Sequence, residues 1–388
     1  MITDDPSLFD IKTSLLNTGM RGFPVGTCRT SSVNKDTGVH YGGYPISELA
    51  NQSVESVVYM MLHKQLPSPA EEEAFAQELR NRQALPAGVV ELLATLPKDA
   101  HPMLWFVTGI LYLGMTETTD DWREDGLNLI ARVNPLVAAI FRLREGWGDP
   151  IAPRDDLDYA SNFAHMLGAP DAHERLGDVL RMFHVLHMDH GGGNLSTFTG
   201  KAVASGHASI YVSLSAAMGA LYGPLHGGAN ERCLDFVKQV GTAEDAEVER
   251  FVRKLLADGG KVFGFGHAVL RNEDPRARVQ YRYARKHFAD NPLVATALTL
   301  REVVPPILQE IPKIQNPYPN VDAISGSLLT AAGLPQSQYY TVLFGWSRVV
   351  GIAAQIIDER LVLRDGKGVP IYRPRFIAEG QPERHLES

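Results

Sequence analysis

Helix-forming patterns run through most of this chain, and they restrict its possible folds more than any other feature of the sequence. Ser68 is followed by a proline and, at the third position, by Glu71; this capping box predicts a helix that ends near residue 82. Residues 242–258 carry apolar side chains at helical spacing and stop at a glycine pair. Similar patterns predict long helices over residues 122–144 and 335–360.

Strand signals are few and short. Residues 27–44 predict a hairpin that turns around 34–38, and residues 362–372 predict a second hairpin that turns around 365–368. The fold class is therefore predicted to be mainly α, with small β-hairpins near the N- and C-termini.

Two glycine-containing points bracket a segment rich in charged helices, Gly227-Gly228 and the stretch around Gly326. Glycines at such points are candidate hinges. They predict a large helical domain made of residues 1–226 and 328–388, and a small domain made of residues 227–327.

Composition narrows the setting in which the protein works. The formal net charge of -8 argues against general binding to nucleic acids or membrane surfaces, so any anionic ligand must be met by locally placed arginines. Cys28 and Cys233 lack metal-ligand spacing, and the N-terminal residues do not resemble a signal or transit peptide. These features predict a reduced, cytoplasmic location. The apolar run 208–225 contains serines and glycine and predicts a buried helix rather than a membrane span.

Three histidines lie in glycine-rich settings: His190 in Met-Asp-His-Gly-Gly-Gly-Asn, His226 in Gly-Pro-Leu-His-Gly-Gly-Ala-Asn and His267 in Gly-Phe-Gly-His-Ala-Val-Leu-Arg. Glycine beside a polar side chain indicates close approach of the backbone, by a ligand or by another part of the chain. Together with Asp322 and an arginine in an apolar helix, they predict one assembled pocket. Neutral imidazoles donate hydrogen bonds and arginines hold carboxylates, so the pocket suits a small polyanion that reacts at a carbonyl.

Two arginines are candidates for holding that anion. Arg348 lies in an apolar helical stretch, where a guanidinium needs either an acidic side chain or an anionic ligand, and the sequence leaves both open. Arg276 follows Asp274-Pro275 at the second position of a predicted helix, where free amides also attract a carboxylate. The alternative for Arg276 is a solvated side chain at a helix start.

Other polar residues also have two interpretations. His184, His187 and His190 are spaced like metal ligands, but each step of three residues rotates the side chain by roughly 60° on a helix, so core packing of the first two is preferred to a metal site. Asp322 precedes an apolar run and could simply cap a helix. Capping keeps the carboxylate ionised, which also suits a general base.

Six segments, in this order along the chain, resemble the citrate synthase family. The resemblance extends from about Gly19 to Pro374, and the six segments together are specific, whereas each one alone is a weak signal. They are residues 187–194 (His-Met-Asp-His-Gly-Gly-Gly-Asn), 223–230 (Gly-Pro-Leu-His-Gly-Gly-Ala-Asn), 264–271 (Gly-Phe-Gly-His-Ala-Val-Leu-Arg), 274–276 (Asp-Pro-Arg), 319–322 (Pro-Asn-Val-Asp) and 344–348 (Phe-Gly-Trp-Ser-Arg).

The resemblance implies a mostly helical homodimer whose small domain closes over oxaloacetate before acetyl-CoA binds. It implies an acyltransferase of the tricarboxylic acid cycle, which condenses the two substrates through an enol or enolate and then hydrolyses citryl-CoA to citrate and CoA. It implies no metal and no cofactor, with acetyl-CoA as the co-substrate.

The resemblance also assigns roles to residues. Asp322 matches the base that removes a methyl proton from acetyl-CoA, His226 matches the neutral histidine that hydrogen-bonds the thioester oxygen, and His267 matches the donor to the reacting carbonyl of oxaloacetate. The residues that match the oxaloacetate and citrate site are His190, Asn194, Arg276, Arg348 and, supplied by the partner subunit, Arg373. The residues that match the CoA site are Arg21, Arg271 and Asn320.

One departure and two alternatives accompany the resemblance. Gly191 stands where the family usually has a glutamate, so the glycine run 191–193 is expected to be flexible and to lack one acidic hydrogen-bond partner. A 2-methylcitrate synthase would use propionyl-CoA with the same catalytic residues, and pocket shape decides between the two thioesters. A non-catalytic protein that binds acyl-CoA or a dicarboxylate would have lost Asp322, His226 or His267, and all three are present.

Overall fold

The structure, a computed structural model, describes residues 10–377, 380 and 384–385. It is mainly helical, as predicted, with short 3-10 turns at Thr13–Leu15 and Ser337–Tyr339. The helices, labelled α1 to α16 in chain order, are Ile46–Leu49, Val54–His63, Pro69–Arg82, Ala87–Thr95, Pro102–Glu117, Trp122–Glu145, Tyr159–Leu167, Leu176–His187, Leu195–Ser205, Ile210–Leu221, Ala229–Val240, Asp245–Ala257, Pro275–His287, Pro292–Gln309, Asp322–Ala331 and Tyr340–Leu361.

The helix boundaries follow the sequence signals closely. Helix α3 begins after Ser68, whose side chain accepts the amide of Glu71 while Glu71 accepts the amide of Ser68, as a capping box requires. Helix α16 begins at Tyr340, five residues later than the predicted start at residue 335, because Gln336 has a ψ of 77° and the next three residues form a 3-10 turn.

The predicted N-terminal hairpin is confirmed. Strands β1 (Ser31–Asn34), β2 (Gly38–Tyr41) and β3 (Tyr44–Pro45) form an antiparallel sheet in that order. Gly38 has a φ of +89°, and a Cβ atom there would lie 2.5 Å from Cγ of Pro275. The hairpin turn therefore needs glycine to approach the start of α13.

The predicted C-terminal hairpin is wrong, because no strand forms between residues 362 and 372. Arg364, Asp365 and two nearby glycines have positive φ values, which coil the chain into successive turns instead of extending it. The backbone amides bind elsewhere: Leu363 donates to the carbonyl of Asp358 at the end of α16, and Tyr372 donates to the hydroxyl of Ser205. The sequence signals for a turn were correct here, but no pair of strands forms on either side of the turn.

Two helices form the centre of the core. The segments Trp122–Glu145 and Ser337–Leu361 are long and apolar enough to cross a membrane, yet 83% and 94% of their most apolar windows are buried inside the structure. Long apolar stretches that are buried in this way are typical of the core helices of a protein interior. The apolar run 208–225 forms Ile210–Leu221, a largely buried helix, as predicted.

Candidate active site

The first two histidines of the series pack in the core, as predicted. His184 and His187 are fully buried, and their rings contact Trp346 at 4.1 Å and Phe183 at 4.0 Å between centroids. Burial lowers the pKa of each to about 3, so both stay neutral. Across residues 10–377, no group of three or more potential metal ligands is found.

His190 and His267 lie side by side, with ring centroids 5.5 Å apart, although they are far apart in sequence. Burial, followed by the charges of Arg276 and Arg348, holds the pKa of His190 well below its usual range. Its Nε2 atom is buried and has no hydrogen-bond partner among the described residues. His184 and His187 also have unpartnered ring nitrogens, but His190 lies beside His267 and close to two buried guanidinium groups, where such an atom is available to a ligand.

The tautomer of His267 is set by the backbone. Its Nδ1 atom accepts the amides of Val269 and Leu270, both at 3.0 Å. Because Nδ1 accepts, the proton of the neutral ring is on Nε2. Burial and the charge of Arg276 lower the pKa of this histidine, so it is a neutral Nε2–H donor.

Two loops are tied together so that His267 and Asp322 have a fixed separation. Gly266 donates its amide to the carbonyl of Tyr318, and Asn320 donates its amide to the carbonyl of Gly264. Gly264 has a φ of +83°, and a Cβ atom there would lie 2.8 Å from the Cα atom of Ala323. The glycines beside His267 therefore serve close approach of the two loops.

Asp322 is the first residue of α15, and its helix-cap alternative is wrong. The side chain of Asn320 accepts the backbone amide of Asp322 at 3.0 Å. The Asp322 carboxylate itself caps no amide and accepts no hydrogen bond from any described residue. Burial raises the pKa of this carboxyl to about 6, while Arg276 and Arg348 oppose the rise. An unengaged carboxylate with such a pKa suits a general base near neutral pH.

His226 follows α10 and has the opposite tautomer to His267. Its Nε2 atom accepts the amide of Ser196 at 3.1 Å and lies 2.9 Å from the Ser196 hydroxyl. The proton of the neutral ring is therefore on Nδ1. Burial and the charge of Arg348 lower the pKa of His226 to about 4, so it is a neutral donor above that pH.

Arg276 is buried and paired, so the interpretation as a solvated side chain is wrong. It is 3% exposed, and its Nε and Nη2 atoms donate to both carboxylate oxygens of Asp274 at 3.1 Å and 2.7 Å. Asp274 also accepts the amide of Arg276 as the N-cap of α13. Asp274 fixes the guanidinium in place. The positive charge of Arg276 nevertheless acts on its neighbours, because it helps to lower the pKa of His190 and opposes the rise in the pKa of Asp322.

Arg348 carries the least compensated charge of the cluster. It is 2% exposed, donates to the carbonyl of His187 at 2.9 Å, and lies over the ring of Phe344 at 4.7 Å. No carboxylate of the described residues lies within 4.0 Å of it. Burial lowers its pKa to about 10. The structure therefore gives no support to an ion pair with a described acid, and binding of an anion by Arg348 stays a prediction.

Behind His190 lies a buried acid that the sequence reasoning missed. Asp189 accepts the Thr30 hydroxyl at 2.6 Å, the amide of His190 at 2.8 Å and the Gln355 side chain at 2.8 Å. These bonds fix the backbone that presents His190. The sequence signal that could have identified Asp189 is its position between His187 and His190 in one motif.

The glycine run after His190 is held by hydrogen bonds. Gly191 has a φ of +71°, donates to the hydroxyl of Ser31 at 2.8 Å, and accepts the side-chain amide of Asn194 at 2.9 Å. The side-chain oxygen of Asn194 accepts the backbone amide of Thr197 and so caps α9. Asn194 therefore positions the loop, and its predicted contact with substrate stays a prediction.

Three predicted arginines are not brought to the cluster within one chain. Arg21 is exposed on a turn and Arg373 is exposed after Tyr372. Arg271 is also exposed; its side chain donates to the carbonyls of Val269 and Leu270, which places it on the His267 loop. Asn320 lies on the adjoining loop and donates to the carbonyl of Gly266.

The cluster combines two neutral hydrogen-bond donors, one available carboxylate and guanidinium groups that retain positive charge. Such a set can bind a dicarboxylate, remove a weakly acidic proton and stabilise an oxyanion. Preformed donors are essential for such chemistry, because a carboxylate alone is too weak a base to remove a proton from a carbon next to a carbonyl group.

The chain is similar to curated citrate synthases over nearly its whole length. It is 37% identical over 409 residues to "Citrate synthase 4, mitochondrial" of Arabidopsis thaliana, which covers 98% of this chain and 85% of the relative. It is 34% identical over 388 residues to "Citrate synthase, peroxisomal" of Saccharomyces cerevisiae, which covers 92% of this chain and 82% of the relative.

The predicted cytoplasmic location is wrong by this comparison. The plant relatives are named as mitochondrial and the yeast relative as peroxisomal, which points to an organelle. The prediction rested on two cysteines without metal-ligand spacing and on N-terminal residues that do not resemble a signal or transit peptide. Cysteine usage reports the redox state of a compartment and does not distinguish one reduced compartment from another.

The fold of this chain matches that of a solved citrate synthase, and its sequence matches a citrate synthase family model. The crystal structure of citrate synthase from Thermotoga maritima matches with a TM-score of 0.81 at 30% identity and covers 95% of this chain and 97% of that chain. The family model described as "Citrate synthase, C-terminal domain" matches residues 19–375. A tautomer-locked pair of imidazoles, an available carboxylate and a match of this length lead to one conclusion: the chain belongs to the citrate synthase family.

Proposed function

We propose that this protein condenses acetyl-CoA with oxaloacetate through an enol or enolate and hydrolyses the resulting citryl-CoA to citrate and CoA. The observation that carries the proposal is the pair of neutral imidazoles whose tautomers are set by backbone amides. His226 offers Nδ1–H and His267 offers Nε2–H. Each can donate to an oxygen on which negative charge develops, without first losing or gaining a proton.

In the first step, the Asp322 carboxylate accepts a proton from the methyl group of acetyl-CoA. The electron pair of that C–H bond moves into the enolate, whose oxygen receives the hydrogen bond from His226. A preformed donor of this kind is typically worth about 2.7–4 kcal/mol. The raised pKa of Asp322 reduces the mismatch between the base and the weak carbon acid.

In the second step, the enolate carbon attacks the keto carbon of oxaloacetate and a carbon–carbon bond forms. The keto oxygen takes the displaced electron pair, accepts the hydrogen bond from Nε2–H of His267 and gains a proton to become the hydroxyl group of citryl-CoA. Asp322 releases the methyl proton before the next cycle. Water then adds to the thioester carbon of citryl-CoA, and CoA leaves as the thiol. The closed site limits access of water to acetyl-CoA before condensation.

The substrate carboxylates are assigned to His190, Arg276 and Arg348, with Arg373 supplied by the partner subunit of a homodimer. Support comes from the buried, uncompensated guanidinium of Arg348 and from the unpartnered Nε2 atom of His190. The exposed position of Arg373 outside the cluster of its own chain agrees with a role in trans.

Arg21, Arg271 and Asn320 are assigned to CoA. Arg271 and Asn320 lie on the two loops that carry His267 and Asp322, so a thioester bound there would have its CoA portion near them. No metal or further cofactor takes part in the proposed reaction.

The proposal includes two domains that close on the substrates, with residues 227–327 as the small one. His267, Arg276 and Asp322 belong to this segment, whereas His190, His226 and Arg348 do not, so closure would complete the site. Hydrogen bonds from Arg271 to Lys35 at 2.9 Å and from Asn272 to Asp36 at 3.2 Å link the segment to the N-terminal hairpin.

Release of free thiol on mixing the protein with oxaloacetate and acetyl-CoA tests the proposal. We expect release that requires both substrates and continues in the presence of a chelator. Binding of both substrates without thiol release would instead indicate a non-catalytic binding protein. A higher kcat/KM for propionyl-CoA would overturn the choice of thioester; the names of the relatives do not favour this 2-methylcitrate synthase alternative.

A further inference from the structure

A cavity of about 570 Å³ with a strongly acidic lining lies where helices α2, α3 and α7 begin, apart from the candidate active site. The acidic residues that line it are Glu55, Glu72, Glu73, Asp155, Asp156 and Asp158. Its basic lining residue is Arg80, which pairs with Glu73 at 2.6 Å.

Helix starts explain part of this acidity. Carboxylates are favourable at the positive N-terminal ends of helices. Asp158 caps α7 by accepting the amide of Ser161, and Glu72 and Glu73 lie in the first turns of α3. Asp156 is paired with Arg154 at 2.5 Å. Exposed Asp155 makes no hydrogen bond or ion pair with another described residue.

Glu55 is the observation that helix starts do not explain. It is 5% exposed and lines the cavity. Its Oε1 atom accepts the amide of Tyr159 at 2.8 Å, whereas its Oε2 atom is buried with no partner among the described residues. Leaving a buried carboxylate oxygen unpaired is costly, so a donor brought by a ligand would be strongly favoured there.

The shape of the site argues for an organic cation rather than a metal ion. Across the residues that the structure describes, no three carboxylates or other ligands are grouped closely enough to hold a metal. The carboxylates are instead distributed around a wide cavity. An extended cation with separated ammonium groups could place one N–H on Oε2 of Glu55 and reach further carboxylates with the other group.

We propose that this cavity binds an aliphatic diammonium or polyammonium ion, with Glu55 as the buried anchor and Asp155 as a partner at the mouth. The site is separate from the condensation chemistry and does not depend on it. An isolated water molecule bound to Oε2 is the competing occupant, because an adjoining void of about 10 Å³, also lined by Glu55, has room for about one.

Isothermal titration of the full-length protein with 1,4-diaminobutane and with spermidine, at fixed ionic strength, tests the proposal. We expect one-to-one binding to the unsubstituted protein. Glu55→Gln should weaken binding by about ten- to a hundredfold, the loss expected for one buried charge-assisted hydrogen bond. Asp155→Asn should weaken it by about two- to fivefold, because Asp155 is exposed to solvent. Asp290→Asn, which neutralises an exposed acid elsewhere, should leave binding unchanged.

Circular dichroism verifies that each variant is folded. If Glu55→Gln fails to fold, the Asp155→Asn variant still tests the site. Absence of binding to the unsubstituted protein would leave a buried water as the occupant and overturn the proposal. Equal binding by Asp155→Asn and Asp290→Asn would show only general attraction to an acidic protein. Tighter binding of Mg²⁺ than of either amine would replace the organic cation with a metal.

Discussion

Arg276 binds both carboxylate oxygens of Asp274, which lies only two residues earlier in the chain. The same carboxylate accepts the backbone amide of Arg276, so one acid both caps α13 and balances a buried positive charge. Asp274 is 1% exposed and Arg276 is 3% exposed. Geometry of this kind holds a guanidinium in one orientation before any substrate arrives.

Asp274→Asn separates the two roles of this acid. Asparagine caps helices as well as aspartate does, but it leaves the buried guanidinium without a counter-charge. We expect the free energy of unfolding, measured with urea, to fall by about 3–5 kcal/mol. Asp121→Asn is the matched control, because Asp121 caps α6 through the amides of Arg123 and Glu124. Equal, small losses in the two variants would show that Asp274 acts as a cap alone.

The tautomer of His226 predicts a loss of turnover rather than of oxaloacetate binding. His226→Ala, which removes the donor, should lower kcat by about 10²–10³, the cost of one oxyanion donor, with little change in KM for oxaloacetate. Ser196→Ala keeps the backbone amide that sets the tautomer and should cost less than about tenfold. Steady-state kinetics measure both. A loss in Ser196→Ala as large as in His226→Ala would show that the hydroxyl, and not the amide, positions the ring.

Much of the fold was predictable because its signals are local. The capping box at Ser68 and the Asp274-Pro275 helix start each depend on residues within one turn, and both form as predicted. The C-terminal hairpin was not predictable in this way. Turn signals near Gly366 were correct, but a strand needs a partner, and the turn's neighbours are the end of α16 and Ser205.

The site shows the same limit. Motifs singled out three histidines for the predicted site, but their tautomers depend on contacts across the fold, such as that between His226 and Ser196. Whether Arg348 has an acidic partner could not be decided from its own helix, because only the structure shows that no carboxylate of the described residues reaches it. Asp189 was passed over because its three partners come from distant segments.

Mixed dimers test whether Arg373 acts in trans. Arg348→Ala and Arg373→Ala should each be nearly inactive alone, because each removes a proposed carboxylate contact from every site. A mixed dimer would hold both lesions in one site and neither in the other. Activity should therefore return when the two variants are unfolded and refolded together. No recovery, with mixed dimers confirmed by affinity tags, would place Arg373 outside the partner's site.

Gly191 offers a test of the departure from the family pattern. Its φ of +71° disfavours any other residue, although no atom lies within 4 Å of a Cβ built there. Gly191→Ala should thus lower the free energy of unfolding by about 1–2 kcal/mol through backbone strain alone. Gly193 also has open space around its Cβ position but no positive φ, so Gly193→Ala is the control and should cost less. Equal costs would mean that the left-handed backbone is not what selects glycine at 191.

Asp322 connects activity to pH. As the proposed base it must be ionised, and its pKa is about 6. The kcat/KM for acetyl-CoA should therefore rise with pH through about 6 and then level off. A profile that is flat from about pH 5 to 8 would rule out this group as the base.

The same pKa predicts a stability cost with a defined pH window. The folded protein holds the Asp322 proton up to a pH of about 6, whereas the group's ordinary pKa is 3.8. Below 3.8 both states are protonated and the residue has no pH-dependent cost. Between the two values the unfolded state ionises first, and above about 6 the ionised carboxylate destabilises the folded state by roughly 3 kcal/mol.

Asp322→Asn removes this ionisation while keeping the size of the side chain. It should abolish activity and increase the free energy of unfolding at about pH 7.5 by up to about 3 kcal/mol, with the gain disappearing near pH 4. Urea unfolding at both pH values measures this difference, with Asp290→Asn as an exposed control that should show no gain at either pH. The same gain at both pH values would indicate altered packing, and no gain at pH 7.5 would show that the ionised carboxylate is not destabilised by its site. A gain confined to the higher pH would mean that the protein is less stable because it keeps a base ready for reaction.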